Sequence, residues 1–197
     1  MKTNNTLFII SAPSGSGKTS IMRKVMGNKR EILSYTTRPM RDNEEDGVDY
    51  NFITKELFEA IDATGDMIEK TQYPPNDPNG NFYGVSWDSV KSKLKKGDAF
   101  IVADTHGMEQ LKAIHNNCVT IWIYTSKDDA IANMLTRGDS SENIKKRMQT
   151  FDLEQTNRTK YDYIITNNYG RMKDTIKIIK AIVKTKRGNK NGSRNSK

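Results

Sequence analysis

Short apolar runs, each followed by a helical pattern, set the architecture of this chain. Leu7-Phe8-Ile9-Ile10 opens the series, and a helical pattern over 19–26 follows. Residues 99–103 form a second apolar strand that closes on Asp104, with a helical stretch over 107–115 behind it. Residues 119–124 give a third strand, 128–136 a helix, 142–159 a long charged helix and 163–166 a last strand. A final helix over 172–184 carries Ile176, Ile179, Ile182 and Val183 on one face. Apolar strands alternating with helices predict an α/β fold, a parallel sheet flanked by helices.

Two stretches break the alternation. Residues 34–88 are rich in Thr, Tyr, Gly, Pro and Asn, with short strand-like pieces, and read as an inserted mixed α/β subdomain. Residues 137–147 read as a short mobile flap between two helices. The expected organisation is one domain over 1–184. Its core comes from 6–33, 89–127 and 151–184, its insert from 34–88 and its lid from 128–150.

The first strand runs into Ala12-Pro13-Ser14-Gly15-Ser16-Gly17-Lys18-Thr19. A Gly-rich turn between an apolar strand and a helix that opens on Lys-Thr is the context of a phosphate-binding P-loop. Its backbone N–H groups and the helix dipole attract a nucleotide's phosphates. Pro13, Ser14, Gly15, Ser16, Gly17, Lys18 and Thr19 are therefore the expected ATP-binding residues. Lys18 would reach the β- and γ-phosphates and the Thr19 hydroxyl would ligate Mg²⁺. Ala12 stands where the pattern has its first Gly. A P-loop core with one insert and one Arg-bearing flap suggests a nucleoside monophosphate kinase, the insert for the acceptor and the flap over the donor.

Bulk properties narrow the picture. The 197 residues suffice for one domain with a sizeable core. The single cysteine, Cys118, excludes an intrachain disulfide and fits a reducing cytoplasmic setting. No apolar stretch approaches the ~20 residues of a membrane helix, and the N-terminal residues leave no room for a signal peptide. The net charge of +8 invites a nucleic-acid reading, but most of it lies in Lys184, Lys186, Arg187, Lys190, Arg194 and Lys197. Residues 185–197 are also rich in Gly, Asn and Ser and read as a disordered basic tail. No interleaved aromatic and basic surface supports a nucleic-acid partner.

Further motifs follow in order: Ser34-Tyr35-Thr36-Thr37-Arg38-Pro39-Met40-Arg41, Asp46-Gly47-Val48-Asp49-Tyr50-Asn51-Phe52, Met67-Ile68-Glu69 and Phe82-Tyr83-Gly84. After them come Val102-Ala103-Asp104-Thr105-His106-Gly107, Arg137-Gly138 and Tyr161-Asp162-Tyr163-Ile164-Ile165-Thr166-Asn167. With the P-loop, these segments resemble guanylate kinase from about residue 6 to 183. The resemblance implies ATP and GMP or dGMP as substrates, Mg²⁺ as cofactor, and a monomer or homodimer. It implies Arg38, Arg41, Tyr50 and Tyr83 on the acceptor phosphate, chemistry that suits two arginines able to make bidentate bonds. It places Ser34 and Glu69 on guanine, whose N1–H and N2–H₂ a carboxylate accepts together. Asp104 falls on the acceptor side, with a role in ordering Mg²⁺-bound water left open, and Asn167 on the donor's adenine side. Lys18, Arg38, Arg137 and Arg147 are the expected catalytic residues, neutralising charge on the transferring group.

The chain departs from the family at several points. Val85 stands where a hydroxyl residue follows Tyr-Gly, with Ser86 one later. Asn133 replaces the first flap arginine, His106 replaces a common Gln, and the flap is one residue short. The segment 74–80 contains an insertion beside the expected acceptor pocket. Two other readings follow: a deoxynucleoside monophosphate kinase of broader base range, and a non-catalytic guanylate-kinase-like scaffold. The scaffold requires a lost P-loop, whereas Gly17-Lys18-Thr19 is intact.

Overall fold

The computed structural model describes residues 4–42, 44–73 and 76–192. In chain order the elements are β1 (Leu7–Ser11), α1 (Lys18–Met26), β2 (Glu31–Ile32), β3 (Tyr35–Thr36), β4 (Asn51–Phe52) and α2 (Lys55–Ala63). Then come β5 (Met67–Tyr73), β6 (Asn81–Ser86), α3 (Trp87–Lys95), β7 (Ala99–Val102) and α4 (Thr105–Ile114). The chain continues through β8 (Cys118–Tyr124), α5 (Lys127–Arg137), α6 (Ser141–Thr156), β9 (Tyr163–Thr166) and α7 (Met172–Gly192). Single 3₁₀ turns cover Asn28–Arg30 and Asn157–Lys160.

The chain falls into two compact units. The first takes in the start of the chain through Phe8 and Asn28–Cys118. It holds the strand order β2-β7-β1, with Leu7 and Phe8 from β1. Strand β2 runs parallel to β7, pairing Glu31 with Phe100 and Ile32 with Ile101. The short β2 had no signal of its own in the sequence. This unit also contains the insert, a four-stranded sheet in the order β4-β3-β6-β5. Strands β5 and β6 form an antiparallel hairpin whose register shifts between Met67 and Glu69, leaving Glu69 opposite Val85. The described part of 74–80 is the turn of that hairpin. There Asn76 takes φ 59° and Gly80 N–H closes on the Asp77 carbonyl at 2.8 Å.

The second unit takes in Ile9–Gly27 and the chain from Val119 onward, with the strand order β1-β8-β9. Strand β8 is parallel to β9, from Ile121 opposite Tyr163 to Tyr124 opposite Thr166. The residues of β1 are all buried, as are Val119 to Ile123 of β8. Runs of this kind belong to parallel sheets covered on both faces.

Two expectations shift. Helix α6 begins at Ser141, capped by the Ser140 hydroxyl, so the expected flap shortens to the turn between Arg137 and Ser141. Gly138, at φ 88°, ends α5 with a left-handed cap that needs no Cβ. Helix α7 continues to Gly192, past the boundary at 184 where a disordered tail was expected to start. Thr185, Lys186 and Arg187 sit in its continuing turns. Residues 193–197 of that tail, and Pro74 and Pro75 of the insertion, lie outside the described residues.

Candidate active site

The candidate residues fall into two groups, one in each unit. In the second unit, β1 ends in the Gly-rich turn and α1 begins at Lys18 with Gly17 in the N-cap position. Helices α2 to α6 each have a Thr, Ser or Asp side chain accepting a first-turn N–H. Helix α1 has a glycine there and no acidic residue in its first turn. Its leading N–H groups are left to an external acceptor, the arrangement that binds phosphate. Gly15 and Gly17 take φ of 82° and 77°, and a Cβ on Gly15 would lie 2.4 Å from the Ala130 carbonyl oxygen. Only glycine fits that turn against α5.

Side chains from three elements hold the loop's outer side. Asn133 Nδ2 of α5 donates to the Gly15 carbonyl at 2.8 Å. Asn167 Nδ2, just after β9, donates to the Ser16 carbonyl at 2.9 Å. Thr175 of α7 in turn donates to Asn167 Oδ1 at 3.0 Å. Arg147 of α6 donates to Ser14 Oγ. Tying these carbonyls outward leaves the loop's N–H groups to face a ligand. Asn167 is 2% exposed with its carboxamide engaged inside the protein, so it meets the loop where the sequence placed it on the donor nucleotide. Asn133, read as a lost arginine, is a loop support.

Lys18 Nζ lies 3.5 Å from the Pro13 carbonyl. Burial pushes its amine down to about 8; Glu154 opposes that shift, while Arg147 and Arg137 add to it. Two arginine charges around a lysine with a depressed pKa make a site that an anion would stabilise. Arg137 itself is exposed and paired with Asp139. Ser16 Oγ is buried without a hydrogen-bond partner. No cluster of three His, Cys, Asp or Glu side chains occurs among the described residues. The half-buried Thr19 hydroxyl in the first turn of α1 fits a Mg²⁺ ion held largely by phosphates, which need few protein ligands.

In the first unit, Arg38 binds Glu44 through two bonds of 2.8 Å. Its guanidinium also lies 5.4 Å from the Tyr50 ring centroid. Tyr50 packs edge-on to Tyr83 at 6.1 Å, bringing the two phenols beside Arg38. Arg41 is exposed; its N–H donates to Glu44 at 3.0 Å and its guanidinium stands 3.7 Å from that carboxylate. Glu44 thus organises both arginines. Burial raises its pKa, but hydrogen bonds and charge from Arg38 and Arg41 together leave it below the ordinary carboxylate value. Sequence reasoning missed it; an acid three residues after Arg41 was the available signal.

Glu69 on β5 is 8% exposed, and its Oε2 has no hydrogen-bond partner. Burial, with the nearby Asp104 charge, pushes its pKa up to about 8. Asp104 is exposed and caps α4, its Oδ1 accepting from Gly107 N–H at 2.8 Å, and Thr71 donates to its Oδ2 at 3.3 Å. Ser86 caps α3 by accepting from Ser89 N–H, and its hydroxyl donates to Ser89 Oγ at 2.9 Å. It therefore does not replace the hydroxyl missing at Val85, which is fully buried. Ser34 is half-buried, and its carbonyl accepts from Asn51 N–H at 2.9 Å.

A buttressed Gly-Lys-Thr loop between a buried strand and an uncapped helix, on a parallel α/β sheet, defines a P-loop nucleotide-binding protein. The family model described as guanylate kinase matches residues 4–186. A guanylate kinase of Vibrio parahaemolyticus is 37% identical over 171 residues, covering 83% of this chain and 80% of its own length. One of Pseudomonas fluorescens is 36% identical over 184 residues, covering 90% and 87%. A crystal structure of guanylate kinase from Anaplasma phagocytophilum superposes with a TM-score of 0.70 at 25% identity, covering 93% of this chain and 87% of that one. The chain belongs to the guanylate kinase family, and is an enzyme of the nucleoside monophosphate kinase class. No helix among its described residues is long and apolar enough to cross a membrane.

Proposed function

We propose that this chain transfers the γ-phosphoryl group of ATP to GMP, and also to dGMP, giving the nucleoside diphosphate and ADP. The observation that carries the guanine assignment is the buried Glu69 carboxylate with an unpartnered oxygen, in a chain of this family. Adenine presents a lone pair at N1 where guanine presents N1–H. Facing it would leave the carboxylate unpaired at a cost of about 1–3 kcal/mol, tenfold or more in discrimination.

The residues divide the work. Pro13 to Thr19 hold the triphosphate, with Lys18 on the β- and γ-phosphates. Thr19 is the residue that would hold Mg²⁺ with those phosphates, and the ion would supply charge neutralisation there. Arg38, Arg41, Tyr50 and Tyr83 take the acceptor phosphate; Ser34, Glu69 and Asp104 serve the base side. Arg137 and Arg147 balance charge on the transferring group, and Arg137 must leave Asp139 to do so. An acceptor phosphate oxygen attacks the γ-phosphorus in line as the bond to the ADP oxygen breaks, with no covalent enzyme intermediate. Asn167 and Asn133 act on the donor through the loop. The division into core, GMP-binding insert and lid, and a cytoplasmic location, belong to the same reading.

The test is a coupled assay with Mg·ATP against GMP, dGMP, AMP, dAMP, dTMP, UMP and CMP. GMP and dGMP should turn over well above the others. Turnover of dTMP above dGMP would remove the guanine assignment, and nucleotide binding without turnover would leave the scaffold. No observation favours either alternative.

A further inference from the structure

We infer that Gly107 is a specificity-determining position, which sets where the Glu69 carboxylate stands by leaving out a side chain. Gly107 is buried in the first turn of α4. A Cβ built there would lie 2.4 Å from Glu69 Oε1, 2.5 Å from its Cδ and 2.9 Å from its Cγ. The three nearest atoms all belong to that one side chain. Gly107 is absent from the left-handed glycines, so its backbone does not require glycine. A helical glycine also costs stability relative to alanine. What it provides is room for a carboxylate that could not otherwise occupy this place.

The same residue steadies the neighbouring acid, because its N–H donates to Asp104 Oδ1. Val85 pairs with Glu69 in the antiparallel β5–β6 register and is fully buried, so its side chain packs on the same face of the sheet and limits the space beside the carboxylate. A methyl group at 107 therefore displaces the carboxylate itself. Base recognition is lost while the α4 backbone keeps its conformation.

This rests on the reading of Glu69 as the guanine acceptor, and the experiment separates the two. Wild type, Gly107→Ala, Glu69→Gln, Glu69→Ala and the Gly107→Ala/Glu69→Ala double variant are compared. Melting temperature, KM for ATP, and kcat/KM for GMP and AMP are measured for each. Gly107→Ala should hold or raise the melting temperature and leave KM for ATP unchanged. It should lower the GMP-to-AMP ratio by about tenfold or more through KM for GMP. Glu69→Ala removes every atom that the methyl would meet, so adding Gly107→Ala to that variant should cost under about threefold in kcat/KM for GMP. An unchanged ratio in Gly107→Ala overturns the inference. If that variant fails to fold, a loss of about tenfold or more on adding Gly107→Ala to Glu69→Ala overturns it, and one under about threefold supports it. An unchanged ratio in Glu69→Gln overturns the base reading, and the inference with it.

Discussion

The Asn167 side chain donates to the Ser16 carbonyl at 2.9 Å, fastening the phosphate loop to the residue that follows β9. Thr175 fixes the other end of the same carboxamide at 3.0 Å. Losing a buried bond of this kind costs about 1–3 kcal/mol, tenfold or more if it falls on loop geometry. Asn167→Ala should therefore lower kcat/KM for ATP by about ten- to a hundredfold with KM for GMP unmoved. Steady-state kinetics with each nucleotide varied would check it; equal losses on both would make Asn167 a general structural residue.

Lys18 sits among Arg137 and Arg147, its amine lowered to about 8 principally by burial. Removing it takes charge from the phosphates as they react. Lys18→Ala should cut kcat by about 10²–10³ and leave GMP binding intact. Turnover and GMP titration calorimetry read the two effects separately.

With Glu69 as the proposed guanine acceptor, GMP binding should depend on pH. Its ordinary value is 4.5 and its folded value about 8. Between these values the folded protein holds a proton that the unfolded chain releases. Stability from this group is intact below the lower value, declines as pH rises, and is fully lost above the higher one. Guanine donates two N–H bonds and requires the ionised carboxylate, so binding near pH 7 should expel a proton. GMP affinity should climb from about pH 7, where the nucleotide's phosphate has already lost its second proton, and level off above about 8. Calorimetry in buffers of different ionisation heats counts the proton. A flat affinity with no release would mean that Glu69 is already ionised or does not meet the base.

Glu44 holds Arg38 through two bonds and lies beside Arg41. Preorganising those guanidiniums spares the entropy of ordering them on binding. Glu44→Gln should raise KM for GMP by about tenfold with KM for ATP unchanged. The same kinetic comparison decides it.

Gln155 joins two buried groups of the second unit. Its Oε1 accepts from Trp122 Nε1 at 3.1 Å and its Nε2 donates to the Thr125 carbonyl at 2.9 Å. Gln155→Leu leaves both unpaired and should destabilise the protein by about 1–3 kcal/mol or more, with kcat little altered. Urea unfolding measures it.

Much of this was legible before the fold. Leu7–Ser11 was readable because a buried parallel strand needs a continuous apolar segment. Tyr163–Thr166 also matches its expected span, although on this edge strand only Ile165 is buried. The Gly-Lys-Thr loop announced itself because its chemistry is local. Less legible were β2, whose Glu31-Ile32 pair is held by β7 and carries no periodicity, and the start of α6, where Ser140 is an ordinary polar residue until its hydroxyl caps a helix.

The sequence alone determined the α/β alternation, the nucleotide loop and the residue types that two phosphates and a guanine require. Those depend on neighbours in the chain and on functional groups. Tertiary structure decided what each polar side chain is spent on. Asn167 goes to the loop carbonyl, Ser86 to a helix cap, Glu44 to Arg38, and Gly107 leaves space for Glu69. Their partners lie on other elements, and whether a hydrogen bond is made or a Cβ excluded depends on distances that only packing fixes.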